Sequence, residues 1–300
     1  MVKKIVDSIK SFFGESCYAI GFLTGYEVLH NVLKSKVEWV KGIAKDRWYA
    51  DPFILYVDED IIELLVERFK YKEAKGVLCR IEIDRKSNTI LNETTILELP
   101  THLSFPFIFE EEGKIYVMPE NYQSGSLYIY EYDRDNDSLV NPKMLIDEPL
   151  LDAVCEKIDG KYYIFAVKYE DSWYRRNAIL YIYSSQTLLG EYKLQQTIEY
   201  NKEVARGAGA IIEIGNRYIR PSQDCQGGYG KSVIFSELSI CDGEFVFEEC
   251  RRLLPLDIRF SEGLHTYNQK NGLIVIDGMG YRRGLLANLL SVIYKKIKKC

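Results

Sequence analysis

The stretch Asp51-Pro-Phe-Ile-Leu-Tyr-Val-Asp-Glu-Asp-Ile-Ile-Glu-Leu-Leu-Val-Glu67 decides the fold. An acidic residue leads into a β-rich run, the chain turns on Asp and Glu, and a second strand ends on a polar residue. The same shape recurs as Phe105-Pro-Phe-Ile-Phe to Glu120 and as Asp152-Ala-Val-Cys to Lys168. It appears twice more, as Gly207-Ala-Gly-Ala-Ile-Ile to Asp224 and His265-Thr-Tyr-Asn to Asp277. The leading residues 51, 105, 152, 207 and 265 are spaced 54, 47, 55 and 58 apart. A period of about 50 residues made of short strands marks a β-propeller, one blade per repeat. The sequence therefore predicts an all-β, five-bladed β-propeller occupying residues 16–283 as one domain.

Working outward, residues 16–45 read as two β segments, Tyr18-Ala-Ile-Gly-Phe-Leu23 and Val37-Glu-Trp-Val40, placed to supply the outer edge that closes the ring. Ile61–Phe69 has some helical character but occupies the second-strand slot and is assigned as strand. No helix is needed between 46 and 280. The two ends break the β pattern. Residues 1–15 predict a short amphipathic helix, with Val2, Ile5, Ile9 and Phe12 on one face. Residues 284–300 predict a second one, with Leu286, Leu289, Leu290, Ile293 and Ile297 in a stripe. Arg282, Arg283, Lys295, Lys296, Lys298 and Lys299 flank that stripe. Neither run reaches the roughly 20 apolar residues that span a bilayer. Two placements remain open: packing against the propeller or each other, or lying on an anionic membrane surface.

Composition narrows the function. A net charge of −5 argues against a nucleic-acid partner. The seven cysteines have no paired spacing, and their odd count with no secretion signal favours reduced thiols in the cytosol. There is no P-loop and no strand-linked G-x-G-x-x-G, so no nucleotide-binding core is expected. With three histidines and no His/Cys cluster, neither a metal nor a cofactor is expected. The 23 tyrosines suit strands, and some of the rings could stack on sugars.

In a propeller the innermost strand of each blade lines a central channel, so the repeat starts converge at its mouth. A purely structural strand start would carry Val, Ile or Thr. Here Asp51, Ser104, Asp152, Arg206 and His265 stand there, and Glu120, Arg220, Asp224 and Asp277 end the second strands. Asp51, Asp152 and Glu120 are the candidate catalytic residues, because paired carboxylates carry out glycosyl chemistry. One serves as nucleophile, base or charge stabiliser and another protonates the leaving oxygen. Pro52 biases Asp51 toward an extended backbone. Arg206 and Arg220 match an anionic group such as a phosphate or sugar acid. Asp224, His265, Trp48, Ser104 and Tyr267 complete the expected substrate-binding set, while His102 and His30 read as structural.

Trp48-Tyr-Ala-Asp-Pro-Phe53, His102-Leu-Ser-Phe-Pro-Phe107, Asp152-Ala153, Arg206-Gly-Ala-Gly209, Arg220-Pro-Ser-Gln-Asp224 and His265-Thr-Tyr-Asn268 carry a family resemblance. Over about residues 45–285 the chain resembles the N-terminal domain of plant glucosamine inositolphosphorylceramide transferases. The same module occurs in bacterial proteins of surface-polysaccharide loci, sometimes beside sugar formyltransferases. More distantly, the chain is similar to five-bladed furanosidases of the arabinanase, levansucrase and invertase type. That likeness implies a catalytic carboxylate at Asp51. The second-blade slot holds Ser104-Phe105 in place of the usual Asp, and the acid falls to either Glu120 or Asp152.

Together these readings predict a carbohydrate-active enzyme that transfers a glycosyl unit in bacterial surface-glycan assembly. Its partners would be a sugar or sugar nucleotide and a lipid-linked acceptor. The expected location is cytoplasmic, peripheral at the inner membrane face. The alternatives are a furanosidase-like glycoside hydrolase and a non-catalytic glycan-binding propeller.

Overall fold

A computed structural model describes residues 14–29 and 35–283. The predicted terminal helices and His30 fall outside these residues. Two strands, β1 (Gly14–Thr24) and β2 (Lys36–Trp39), precede the first repeat. The first blade holds β3 (Arg47–Val57), β4 (Ile61–Lys70), β5 (Lys75–Asp84) and β6 (Thr89–Leu97). The second holds β7 (Ser104–Glu111), β8 (Lys114–Glu120), β9 (Leu127–Asp133) and β10 (Ser138–Ile146). The third holds β11 (Leu150–Ile158), β12 (Lys161–Lys168), β13 (Ile179–Ser185) and β14 (Lys193–Glu199). The fourth holds β15 (Ile212–Ile214), β16 (Arg217–Asp224), β17 (Ser232–Cys241) and β18 (Glu244–Leu253). Two last strands, β19 (Tyr267–Lys270) and β20 (Leu273–Arg283), form the inner half of the fifth blade. The chain is thus a five-bladed β-propeller.

Each blade is an antiparallel meander, and its hairpins follow local chemistry. Asp159-Gly160 and Asn271-Gly272 join first to second strands with both residues at positive φ, 50° and 77° in one turn and 50° and 76° in the other. That is the primed turn whose twist matches the flanking strands. β4 is a strand, as expected for Ile61–Phe69. Helical structure between 46 and 280 is confined to one four-residue turn, α1 (Arg175–Ala178), and short 3-10 turns.

The fifth blade closes the ring. β1 pairs antiparallel with β20 from Gly14↔Arg283 to Phe22↔Val275, and β2 adds the outer edge. Arg282, one of the six cations flanking the C-terminal stripe, is held by the propeller: it donates to the Lys45 carbonyl and lies 5.5 Å from the Tyr71 ring. Apolar faces of neighbouring blades pack on one another, as where Leu65 and Leu78 of the first blade meet Val117 and Tyr130 of the second. Burying such side chains contributes about 1.5–3 kcal/mol each. Those packed faces fix the blade starts around the axis.

Candidate active site

The starts of the first three blades share one irregularity. Ala50 pairs with Glu67 and Phe53 with Leu65; Ser104 pairs with Glu120 and Phe107 with Met118; Leu151 pairs with Val167 and Val154 with Phe165. In each blade two residues face one, which is a β-bulge. Its first residue is Asp51, Phe105 or Asp152, with φ of 50°, 43° and 46°. The extended backbone that Pro52 favours is therefore not adopted at Asp51. The left-handed conformation costs about 1–2 kcal/mol in a non-glycine residue. It is held by hydrogen bonds from the bulge amides to carboxylates of the preceding blade. Asp51 N–H donates to Asp277 Oδ2 (3.2 Å), Phe105 N–H to Asp51 Oδ2 (3.1 Å) and Asp152 N–H to Glu120 Oε2 (3.3 Å). Phe105, not Ser104, is thus the counterpart of Asp51 and Asp152.

A cleft of about 700 Å³ opens at this mouth. Of the expected site residues, Asp51, Glu120, His265, Trp48 and Ser104 line it. Asp152 and Arg206 sit behind Glu120. Arg206 Nε donates to Asp152 Oδ2 at 2.6 Å and its Nη2 to Glu120 Oε2 at 3.2 Å. The Arg206 guanidinium also lies 5.0 Å from the ring of Tyr229, which lines the cleft. The other three stand apart from the cleft. Arg220 is buried, donates to the Ala205 carbonyl and lies 5.7 Å from the Phe247 ring. Asp224 pairs with Arg252 and accepts from Gln226 N–H (3.1 Å), tying down the loop that carries Tyr229. Tyr267 is a core residue, edge-on to Phe235 at 4.9 Å, with its hydroxyl on Gln269. Arg220 and Asp224 stand four apart on β16, on one face of the strand, and it is their separate partners that keep them from the cleft.

The electrostatics differ from group to group. Burial pushes the Asp51 carboxyl up to about 7, against the pull of His265. Burial also raises Glu120 well above the usual carboxylate range, the Asp152 charge adding to the effect. Burial pushes the Asp152 carboxyl up as well, but Arg206, the hydrogen bond shared with Glu120 and the His265 charge together hold it below the usual range. His265 is stacked on Tyr18 at 4.8 Å, and its Nδ1 lies 2.5 Å from Asp277 Oδ2. Burial opposes its charge, yet Asp277 and Asp51 together lift it to about 9. Asp51, His265 and Asp277 place ligand atoms within 4.8 Å of one another, close enough to share a cation. Those carboxylate oxygens already accept from protein donors: Asp277 Oδ1 from the His265 and Thr266 amides, and Asp51 Oδ1 from Thr266 Oγ1 at 2.7 Å.

Two further residues belong to the cleft. Glu67 occupies in the first blade the position of Glu120 in the second, and His102, read as structural, lines the cleft beside it. Gly76 N–H donates to His102 Nδ1 (3.0 Å), which leaves Nε2 facing Glu67 Oε1 at 3.3 Å. That buried oxygen has no other polar partner among the described residues. Gly76 has to be glycine, because a Cβ there would lie 2.5 Å from the Leu103 carbonyl oxygen and 2.6 Å from Glu67 Oε1. Aromatic walls complete the cleft: Trp48 stacks on Phe69 at 4.7 Å, and Tyr71 and Tyr122 line the rim.

A carboxylate-bearing, aromatic-walled mouth on five blades invites comparison with known proteins. The family model of glucosamine inositolphosphorylceramide transferase 1, N-terminal, matches residues 29–272. The chain belongs to this family. It is 29% identical over 237 residues to glucosamine inositolphosphorylceramide transferase 1 of Oryza sativa subsp. japonica, covering 78% of this chain and 31% of that protein. It is 30% identical over 200 residues to the Arabidopsis thaliana protein of the same name, covering 65% and 26%. The match thus spans less than a third of these curated relatives. Among solved structures, exo-β-1,3-galactanase from Phanerochaete chrysosporium with galactose superposes with a TM-score of 0.56 at 13% identity, over 71% of this chain and 55% of that one. A β-xylosidase does so with a TM-score of 0.53 at 10% identity, over 73% and 80%. The chain therefore shares its propeller fold with these enzymes at very low identity.

Proposed function

We propose that the cleft binds a glycan or sugar conjugate and transfers a glycosyl unit from it, in bacterial surface-glycan assembly. The observation that carries this reading is that Asp51 and Glu120, two carboxyls with raised proton affinity, face one aromatic-walled cleft. In the proposed step the glycosidic C–O bond breaks and Glu120 gives its proton to the leaving oxygen. The incoming hydroxyl forms the new C–O bond and releases its proton to Asp51, so the proton count balances. Asp152 does not touch the substrate in this scheme. Held ionised by Arg206, it keeps the proton on Glu120 and is a positioning residue. A raised-pKa acid matters most when the leaving oxygen belongs to a sugar hydroxyl; water as acceptor would make the same chemistry a hydrolysis. Membership of a family named for a transferase favours transfer.

One observation favours a non-catalytic, glycan-binding reading. Both oxygens of Asp51 already accept from the protein, through Phe105 N–H and Thr266 Oγ1. The two readings separate in a mass-spectrometric turnover screen with nucleotide sugars, lipid-linked acceptors and aryl glycosides, comparing the wild type with Glu120→Gln. A product that disappears in Glu120→Gln supports catalysis. Saturable glycan binding with no product from any donor replaces the enzyme with a binding module.

The same proposal keeps the chain cytoplasmic and peripheral at the membrane through residues 284–300. Among the described residues no helix is long and apolar enough to cross a membrane. Pelleting with anionic but not neutral vesicles, abolished by deleting 284–300, is the expected result. No pelleting at low salt ends the idea.

A further inference from the structure

We propose that the Tyr169–Asn177 loop beside the cleft is a second subsite, shaped for a phosphate or other anionic oxygen group joined to the sugar. The inference rests on the cleft being where that sugar sits. The two arginines that the sequence offers for an anion are both occupied: Arg206 by Asp152 and Glu120, and Arg220 in the interior against Ala205 and Phe247. Arg176 is different. Its guanidinium lies 5.7 Å from the Tyr169 ring and 5.2 Å from the Trp173 ring, and among the described residues it pairs with no carboxylate. Its neighbour Arg175 does pair, with Glu170 at 2.6 Å.

The loop joins the cleft directly. Tyr122, on the cleft rim, stacks on Tyr169 at 4.3 Å and 12°, and that same Tyr169 ring carries Arg176. The platform is anchored from below. Tyr174 OH donates to the Tyr200 carbonyl (2.7 Å), and the wholly buried Asn177 donates through Nδ2 to the Trp173 carbonyl (2.6 Å). Tyr169 and Trp173 nevertheless remain 36% and 38% exposed, high for rings held this firmly. A guanidinium stacked by its face keeps its N–H edge free for a bidentate contact with two anionic oxygens, at little entropic cost. An exposed ring next to it supplies the apolar face that a sugar or a base stacks on. A ligand whose sugar lies between Trp48 and Glu120 would then reach the platform across Tyr122 with the next group along.

Trp173 provides the readout, through intrinsic fluorescence of the full chain titrated with glucose, glucose 1-phosphate, glucuronic acid and inorganic pyrophosphate. We expect glucose 1-phosphate to bind more tightly than glucose, and that advantage to shrink about tenfold in Arg176→Gln, the loss of one charge-assisted pair. Arg176→Lys should recover part of it, and Trp173→Phe should leave only the Trp48 response to the sugar, with the binding seen by calorimetry unchanged. Glucuronic acid matching glucose 1-phosphate would make the anion a sugar acid, with the subsite upheld. Equal affinity for glucose and glucose 1-phosphate, or an advantage untouched by Arg176→Gln, overturns the subsite even if the cleft binds sugar. Pyrophosphate bound through Arg176 while no sugar binds upholds the subsite and counts against the cleft reading.

Discussion

The Phe105 amide donates to the Asp51 carboxylate across 3.1 Å, and the two residues hold the same bulge position in adjacent blades. The bond belongs to a series running round the mouth, from Asp277 to Asp51, Asp51 to Phe105, and Glu120 to Asp152. Each carboxylate therefore serves two ends. It fixes the left-handed residue of the next blade, and it presents charge at the axis. Roles in folding and chemistry can be separated only by substitutions that keep one and remove the other.

Asp51→Asn keeps an acceptor oxygen for Phe105 N–H, and the Thr266 hydroxyl can turn to accept from the new amide. The expected outcome is an almost unchanged melting temperature with turnover lowered by orders of magnitude. Asp51→Ala leaves the buried Phe105 amide without a partner and should cost about 1–3 kcal/mol in denaturant unfolding. Wild-type turnover by Asp51→Asn would reduce Asp51 to a residue of the bulge.

Arg206→Met strands two buried carboxyls. Removing one partner of a buried ion pair costs about 3–5 kcal/mol. The pH dependence gives the prediction its sign. The lowered pKa of Asp152 stabilises the wild type above the usual aspartate pKa of 3.8, a contribution lost as pH falls. The deficit of Arg206→Met should therefore hold from neutrality down to about pH 4 and shrink below it, as Asp152 takes up its proton. A deficit independent of pH would mean that the loss is one of packing.

His265 sets the alkaline limit. Its folded pKa of about 9 exceeds the ordinary 6.5, so its stabilising share is complete below 6.5 and is lost as pH rises through 9. Asp51, lifted to about 7, acts with the same sign, because it too holds a proton in the folded state that the unfolded chain has released. Unfolding free energy should fall by about 3 kcal/mol between pH 6.5 and 9.5. In His265→Gln that slope should flatten. A wild-type curve level across this range would contradict the placement of the charge.

Gly76→Ala would press a methyl group onto the Leu103 carbonyl and Glu67. Overpacking of this kind costs about 1–3 kcal/mol. Because Gly76 also holds His102 through its amide, ligand affinity should fall along with stability. Stability lost with affinity intact would remove Glu67 and His102 from the site.

The repeat was legible because period-2 strands, each closed by a turn, recur at near-constant spacing, and the bulge residues Asp51 and Asp152 stood out as polar strand starts. Glu67 was not singled out. The repeat sets it level with Glu120, but in Ile61-Ile-Glu-Leu-Leu-Val-Glu67 it reads as another outward glutamate like Glu63, and the pairing of Ala50 with Glu67 is what turns it toward the cleft. Arg206 is bound by carboxylates of other blades and Arg220 by the Ala205 carbonyl and the Phe247 ring, contacts that spacing along one strand does not encode. Tyr267 starts a strand as expected, but it faces the core between blades and not the axis.

The seam between β1 and β20 makes the ring's first strand in sequence wait for its last. Residue 14 meets residue 283, a separation near the full length of the ring, so closure is a high-contact-order event and should come late in folding. Until then β1 exposes an unpaired edge, and a second molecule can offer its own β20 in place of the missing one. Refolding at high concentration is expected to trap strand-exchanged dimers, visible by light scattering and absent at high dilution. Monomers at every concentration would show that each chain captures its own first strand before any neighbour can.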